Sequence, residues 1–251
     1  MRVHHPVNLQ PINPQSASLH GAQDHYPPSD LPLFTAAYNE LCRVDLNGKR
    51  VLEVCCGFGK LAACLSAAYP QADLVAVDRY PESGKHIKEA MPSQPHLSYQ
   101  CGDALHLPQF ADETFDLIYG QATLHHLAHD VKKVGSEYSR LLKPGGRLIF
   151  VFEPLGHNPV VAAIRAIRFA KTEGGDESNL YFSQFKEIAQ YFEEAEVQAF
   201  NLLGYPMKAL KSDRSQFLAR LVHKWDDSLL KNEKRLKHCA NCNVIFRKKT
   251  F

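Results

Sequence analysis

The chain has 251 residues, 45% of them hydrophobic and 22% charged, with a formal net charge of +2. These are values of an ordinary globular protein and exclude a disordered or collagen-like chain, and its apolar stretches fall well short of the roughly 18 residues that would suggest a membrane-spanning helix. Seven cysteines, an odd number with Cys55 and Cys56 adjacent, do not make a disulfide framework. Residues 1–14 carry three prolines and no continuous apolar run of the secretory type. A reduced, cytoplasmic protein is expected.

Residues 1–45 open with six prolines, Pro6 to Pro32, followed by a short helix pattern through Leu33, Phe34, Ala37, Tyr38 and Leu41. Proline has no ladder donor, so this segment cannot enter a sheet interior and reads as an arm folded over the rest. From Arg50 the pattern alternates. Strands are expected at 51–56 (VLEVCC), 73–78 (DLVAVD), 96–104 (HLSYQCGDA), 114–120 (TFDLIYG) and 147–153 (RLIFVFE). Helical periodicity separates them at 61–69, 81–91 and through Val134 and Leu142, and KPGG at 143–146 reads as a turn. Near-continuous apolar strands between helices argue for a parallel sheet covered on both faces. Beyond it come helix patterns at 158–169 and 182–192 and a strand at 196–203. A mostly helical stretch at 204–243 precedes a last strand at 244–248.

The charge is uneven along the chain: residues 205–251 hold 12 Lys and Arg against 4 Asp and Glu, and residues 1–204 hold 17 against 23. A basic C-terminal part can attract phosphate or nucleic acid. Its lysines are spread rather than clustered, however, which fits solvated helix faces better.

The sharpest motif is VLEVCCGFGK, residues 51–60: a strand, a Gly57-x-Gly59 turn and a helix, where a ligand can approach the backbone closely. It is neither a dinucleotide fingerprint, since Cys55 stands at the first glycine position and no third glycine follows, nor a P-loop, since no Gly-Lys-Ser/Thr ends it. Asp78 ends the second strand, 19 residues beyond Gly59, where an acidic side chain can accept two ribose hydroxyls. Asp103-Ala104 ends the third strand, where a carboxylate and a backbone N–H can meet an adenine edge, and Asp116 opens the fourth.

In this series the chain resembles the class I S-adenosylmethionine-dependent methyltransferases, in particular the small-molecule, type 11-like members. The stretches that carry the resemblance are VLEVCCGFGK, LVAVDRY, CGDALHLP, FDLIYGQATLHHL and LLKPGGRLIFVFEP, in order between residues 49 and 154. The resemblance implies an α/β, Rossmann-like, doubly wound seven-stranded sheet with its last strand antiparallel. It also implies S-adenosylmethionine lying across the carboxyl ends of the first four strands. Glu53 would anchor the glycine loop and, through it, the methionine end. Gly57 and Gly59 would let the loop touch the ligand, and Asp78 would hold the ribose with Arg79 beside the adenine. Asp103 and Ala104 would take the adenine edge, and Gln121 would line the methionine or acceptor side. A small side chain at Cys55 should be tolerated where φ is negative.

Near the reacting centre the candidates are Tyr26, His126 and Glu153. Glu153 can act as a base or bind a cationic substrate, or equally cap a loop, and a structural role is the simpler one for His125 and His126. Cys55 and Cys56 read as small buried hydrophobes. Cys239-x-x-Cys242 has half of a zinc-knuckle spacing without the second ligand pair, so no metal is expected. The arm, residues 155–182 and residues 204–243 form a cap over the site, offering Tyr26, Tyr38, His157, Asn158, Tyr181 and Phe182, whose rings suit a sulfonium.

The expected function is methylation of a small metabolite, in secondary metabolism. The alternative is attack on the methionine chain of the cofactor itself, giving azetidine-2-carboxylate and methylthioadenosine. An RNA methyltransferase ranks lower because GQAT stands where an Asn/Asp-Pro-Pro-aromatic motif would follow the fourth strand. A non-catalytic cofactor-binding protein ranks lower because the motifs are mostly intact. The implied partner is a small acceptor, with no membrane expected and nucleic acid ranked below it.

Overall fold

Alternate residues of each central strand are apolar on both sides, and this single property sets the architecture. In the computed structural model, which describes residues 1–4, 40–90, 95–159, 162–163, 179–202, 225 and 228–250, the two side-chain sets feed two separate cores. Leu52, Val54, Val75, Val77, Ile118, Leu148 and Phe150 face one core. Val51, Leu74, Ala76, Leu117, Tyr119, Ile149 and Val151 face the other. A sheet buried on both faces has no room for polar alternation, hence the near-continuous apolar runs.

The strands are β1 (Arg2–His4), β2 (Arg50–Val54), β3 (Asp73–Asp78), β4 (Leu97–Cys101), β5 (Phe115–Gln121), β6 (Leu142–Pro154), β7 (Glu194–Phe200) and β8 (Asn241–Arg247). The helices are α1 (Lys60–Ala68), α2 (Pro81–Ala90), α3 (Leu124–Leu127), α4 (Val131–Leu141) and α5 (Phe182–Ala189). A 3-10 turn at Ala128–Asp130 joins α3 to α4, and a 3-10 helix at Glu233–His238 precedes β8. Helices α4 and α5 cover the first core through Val134, Tyr138, Phe185 and Ile188. Helix α1 covers the second through Leu61 and Leu65.

The strands lie in the order β1-β7-β8-β6-β5-β2-β3-β4. All pair in parallel except β8, which runs antiparallel to both β6 and β7. The order turns at β2, which has β3 on one side and β5 on the other. Loops leaving β2 and β5 therefore part there, and a crevice opens at their carboxyl ends.

The doubly wound sheet with a reversed last strand is as expected, but among the described residues it has eight strands where seven were expected. The extra one is β1, which pairs with β7 from Arg2 opposite Glu196 to His4 opposite Gln198. It lies at the edge of the sheet, a position open to a segment about to meet Pro6.

Element boundaries also move, two of them in a way that bears on the sheet. The KPGG stretch is taken into β6, with Gly145 at φ +73° and a register shift opposite Phe115–Leu117 absorbing the bend. Strand β8 begins at Asn241, so residues 241–243 are strand where helix was expected. Among the described residues no helix is long and apolar enough to cross a membrane.

Candidate active site

Helix α1 begins with Gly59 at φ +65°, and Gly57 has φ +53°. The two glycines do different work. A Cβ on Gly57 would meet nothing within 4 Å, so the backbone there is open to a ligand. A Cβ on Gly59 would lie 2.3 Å from Cγ1 of Ile87, so this glycine lets α2 close against the loop. Cys55 also has a positive φ, +51°. The condition expected for tolerating its side chain is therefore not met, and a non-glycine residue occupies a left-handed position at a cost of roughly 1–2 kcal/mol. Burial pushes its thiol up to about 12, and pushes Cys56 up as well, so neither is a ready nucleophile at neutral pH.

Three strand-borne carboxylates hold the surrounding loops. Glu53, only 3% exposed, accepts through Oε2 from the N–H of Ala62 in α1 at 3.0 Å and from Tyr119 Oη at 3.1 Å. Tyr119 lies opposite Glu53 in the β2–β5 register, which puts both side chains on the same face. Burial raises the Glu53 carboxyl to about 8 against these hydrogen bonds. Asp78, at the end of β3, accepts from the N–H of Gly57 at 2.8 Å through Oδ2 and of Tyr80 at 3.1 Å through Oδ1. Arg79, next to it, is exposed.

Glu153, fully buried, accepts from the N–H groups of Thr123 (2.6 Å), Leu124 (2.8 Å) and His125 (3.2 Å) and pairs with His125 Nδ1 at 2.9 Å. This is the capping alternative, applied to the loop after β5. A carboxylate with no exposed surface and four partners is placed to position that loop rather than to take a proton from a substrate. The same loop is tied to β2 by Thr123 Oγ1, 3.4 Å from the carbonyl oxygen of Val54.

The remaining candidates distribute around this edge. Gln121 ends β5 and lines a hollow of about 190 Å³ with Glu53, Cys55, Cys56, Phe58, Lys60 and Leu61. Asp103 is exposed beyond β4 and accepts from the N–H of Leu105 at 3.0 Å, with Ala104 buried beside it. His126 is exposed, its ring 4.1 Å from that of buried His125. Tyr26 and Tyr38 lie outside the described residues.

His157 meets Tyr181 edge-on at 5.1 Å and Phe182 at 4.9 Å. The side-chain amide of Asn158 donates to the carbonyl oxygen of His238 at 2.6 Å. Cys239 and Cys242 are buried thiols. Sequence reasoning missed Phe58, 61% exposed beside the glycine loop, and Lys60, which share the hollow with Glu53. Position within the motif was the only available signal for them.

Two outcomes follow from this geometry. A carboxyl raised in the folded state stabilises below its unfolded pKa and loses that contribution as pH rises through the folded value. Wild-type stability should therefore fall between about pH 4.5 and pH 8 on account of Glu53. Glu53→Gln keeps an acceptor for Ala62 and Tyr119 and should remove that fall. Melting curves at pH 5 and pH 8.5 should show the variant gaining on the wild type by an amount of order a few kcal/mol. At Cys55, urea denaturation should find Cys55→Val destabilised by roughly 2 kcal/mol or more and Cys55→Gly no worse than wild type. Equal stability of the two would mean that the positive φ is not imposed by the fold.

Residues 52–150 match the family described as a methyltransferase domain. The phthiotriol/phenolphthiotriol dimycocerosates methyltransferase of Mycobacterium tuberculosis is 31% identical over 164 residues, which cover 61% of this chain. The chain spans 59% of that relative's length. Phosphoethanolamine N-methyltransferase 2 of Haemonchus contortus, solved with S-adenosyl-L-methionine, has a similar fold, with a TM-score of 0.59 at 18% identity, covering 86% of this chain and 52% of that one. The [4+2]-cyclase SpnF has it too, with a TM-score of 0.56 at 16% identity, covering 86% of this chain and 82% of that one. By sequence the stretch 52–150 is similar to a methyltransferase domain, and the fold of the described residues is similar to that of solved methyltransferases.

Proposed function

We propose that the protein transfers the methyl group of S-adenosylmethionine to a small-molecule acceptor, a metabolite of the secondary kind. The observation that carries this reading is the bond from the Gly57 N–H to Asp78 at 2.8 Å, which joins the end of β3 to the glycine loop. A carboxylate has about four lone-pair sites. Two of those on Asp78 face the N–H groups of Gly57 and Tyr80, which leaves two for a vicinal pair of hydroxyls. The open side of Gly57 fits a ligand lying against the backbone. The residues present therefore fit the cofactor.

Bound S-adenosylmethionine would supply a methyl group already activated on a sulfonium. The protein then has to bind, orient and exclude water, and no fixed catalytic motif is required. In this reading Asp78 holds the ribose, Asp103 and Ala104 face the adenine edge, and Arg79 flanks it. Glu53 keeps the first turn of α1 in place behind the methionine end. Gln121 stands on the acceptor side. Glu153 and His125 fix the loop after β5 and, with it, His126. His157, Tyr181 and Phe182 form the described part of an aromatic lid. Two of the proteins named above are, by their names, methyltransferases of phthiotriol/phenolphthiotriol dimycocerosates and of phosphoethanolamine, which supports a small-molecule acceptor here.

Calorimetric titration should find S-adenosylmethionine bound by the wild type and bound by Asp78→Ala with a loss of about 1–3 kcal/mol. Unchanged affinity would remove the ribose role. Label from the methyl group should pass to a component of a small-molecule extract. Methylthioadenosine formed from S-adenosylmethionine alone, well above the rate without protein, would instead mean attack on the methionine chain and would overturn methyl transfer.

A further inference from the structure

A second hollow, larger than the one at the glycine loop, lies beside the short 3-10 helix Glu233–His238. Its volume is about 460 Å³, and Val3, Phe182, Lys234, Leu236 and Lys237 line it. That volume falls in the range of small-molecule pockets, roughly 300–1,000 Å³. It shares no lining residue with the glycine-loop hollow.

The lining is of two kinds. Val3, Phe182 and Leu236 make an apolar floor, and Leu236 belongs to the first core with 1% of its surface exposed. Lys234 and Lys237 are exposed and three residues apart. In a 3-10 helix residues i and i+3 eclipse, so the two ammonium groups leave the helix on one side. Among the described residues no carboxylate forms an ion pair with either of them. An anion between two ammonium groups on one side of a helix is attracted by both. The positive field of Lys237 reaches the neighbouring aromatic cluster. His157 is held below the usual histidine range by burial, with His238 and Lys237 adding to the effect.

The backbone carrying the lysines is fixed rather than loose. Asn232 Oδ1 accepts from the N–H of Lys234 at 3.1 Å at one end. The side-chain amide of Asn158 donates to the carbonyl oxygen of His238 at 2.6 Å at the other. Phe182 is fixed in turn, its N–H donating to His157 Nε2 at 3.2 Å. An apolar floor and a pair of cations with no ion-pair partner among the described residues, on a pinned rim, match one ligand chemistry: a hydrocarbon body ending in an anionic group.

We propose that this hollow is a binding site for an anionic amphiphile, its apolar part on Val3, Phe182 and Leu236 and its anionic group between Lys234 and Lys237. The site shares Phe182 with the proposed aromatic lid but no residue with the glycine-loop hollow, and it does not depend on the reading of that loop. Its chemistry does not distinguish a carboxylate from a phosphate monoester, so both are tested.

The probes are sodium dodecanoate and dodecyl phosphate, each below its micelle threshold, titrated into the full chain by calorimetry. Saturable binding at one site per chain is expected for at least one of them. The double variant Lys234→Glu, Lys237→Glu replaces two exposed side chains and should bind that probe at least tenfold more weakly. Its melting temperature and its affinity for S-adenosylmethionine should stay at wild-type values. Dodecyltrimethylammonium, with the same tail and the opposite charge, should bind at least tenfold more weakly than the better anionic probe.

Equal binding of the anionic and cationic amphiphiles, or equal binding by the double variant, would overturn the proposal. Acetate or inorganic phosphate binding as tightly as its twelve-carbon counterpart would reduce the site to a simple anion site and overturn the apolar half. Capture by phosphatidylglycerol vesicles with no binding of either monomeric probe would make the patch a membrane-surface contact and overturn the pocket. Loss of S-adenosylmethionine binding in the wild type would strike the functional reading and leave this one standing.

Discussion

Beyond the carboxyl ends of a parallel sheet's strands, the backbone N–H groups of the loops and first helical turns have no ladder partner and must be satisfied away from water. This protein meets the constraint with carboxylates carried on the strands themselves. Glu53 on β2 takes the N–H of Ala62, Asp78 on β3 takes those of Gly57 and Tyr80, and Glu153 on β6 takes those of Thr123, Leu124 and His125. Each links one strand to a loop that another strand or the same strand has launched. The loop positions at the crevice are thus fixed by the sheet. A site built this way needs little help from its own loop sequences, which are short and mostly small or polar.

The same edge collects strained backbone. Cys55, Ala122, Phe152 and Asn201 all have positive φ and stand at or near the ends of β2, β5, β6 and β7. Such conformations persist only where the surroundings over-determine them. At Phe152 the cause is visible. Its N–H donates to Asn243 Oδ1 at 3.0 Å, Asn243 donates to Gln198 Oε1 at 3.2 Å, and Gln198 donates to Glu196 at 2.9 Å and Glu40 at 3.3 Å. This bend lies at the register shift that separates Phe150 from Glu153, and so it helps to turn Glu153 towards the loop after β5.

The doubly wound architecture and the glycine turn at its carboxyl edge were legible because both depend on local pattern. Apolar runs in 51–54, 74–77, 117–119 and 148–151 can only be strands buried on two faces, and glycine at 57 and 59 can only mark a turn before a helix. What stayed hidden depends on contacts distant in sequence. β1 is three residues long and has meaning only beside β7. The division of labour between Gly57 and Gly59 needs Ile87, which no spacing rule places there. The role of Glu153 turns on a bulge set by Asn243, and the sign of φ at Cys55 is invisible in a residue that looks like a small glycine substitute. The charged rim at Lys234 and Lys237 was diluted in a count over the whole C-terminal part, because its meaning lies in the three-residue period of a 3-10 helix.

The antiparallel insertion of β8 has a consequence for how the molecule assembles. Phe152 and Asn243, bonded to each other in the middle of the sheet, are 91 residues apart in sequence. During synthesis β6, the longest and among the most apolar strands, must wait with one edge unpaired until β8 has emerged. Long-range pairings of this kind slow folding and leave strand edges open to aggregation. A ribosome that stalls before residue 241 would therefore release a sticky sheet edge rather than a smaller folded domain, and the chain's yield in cells should depend on chaperones acting in that interval.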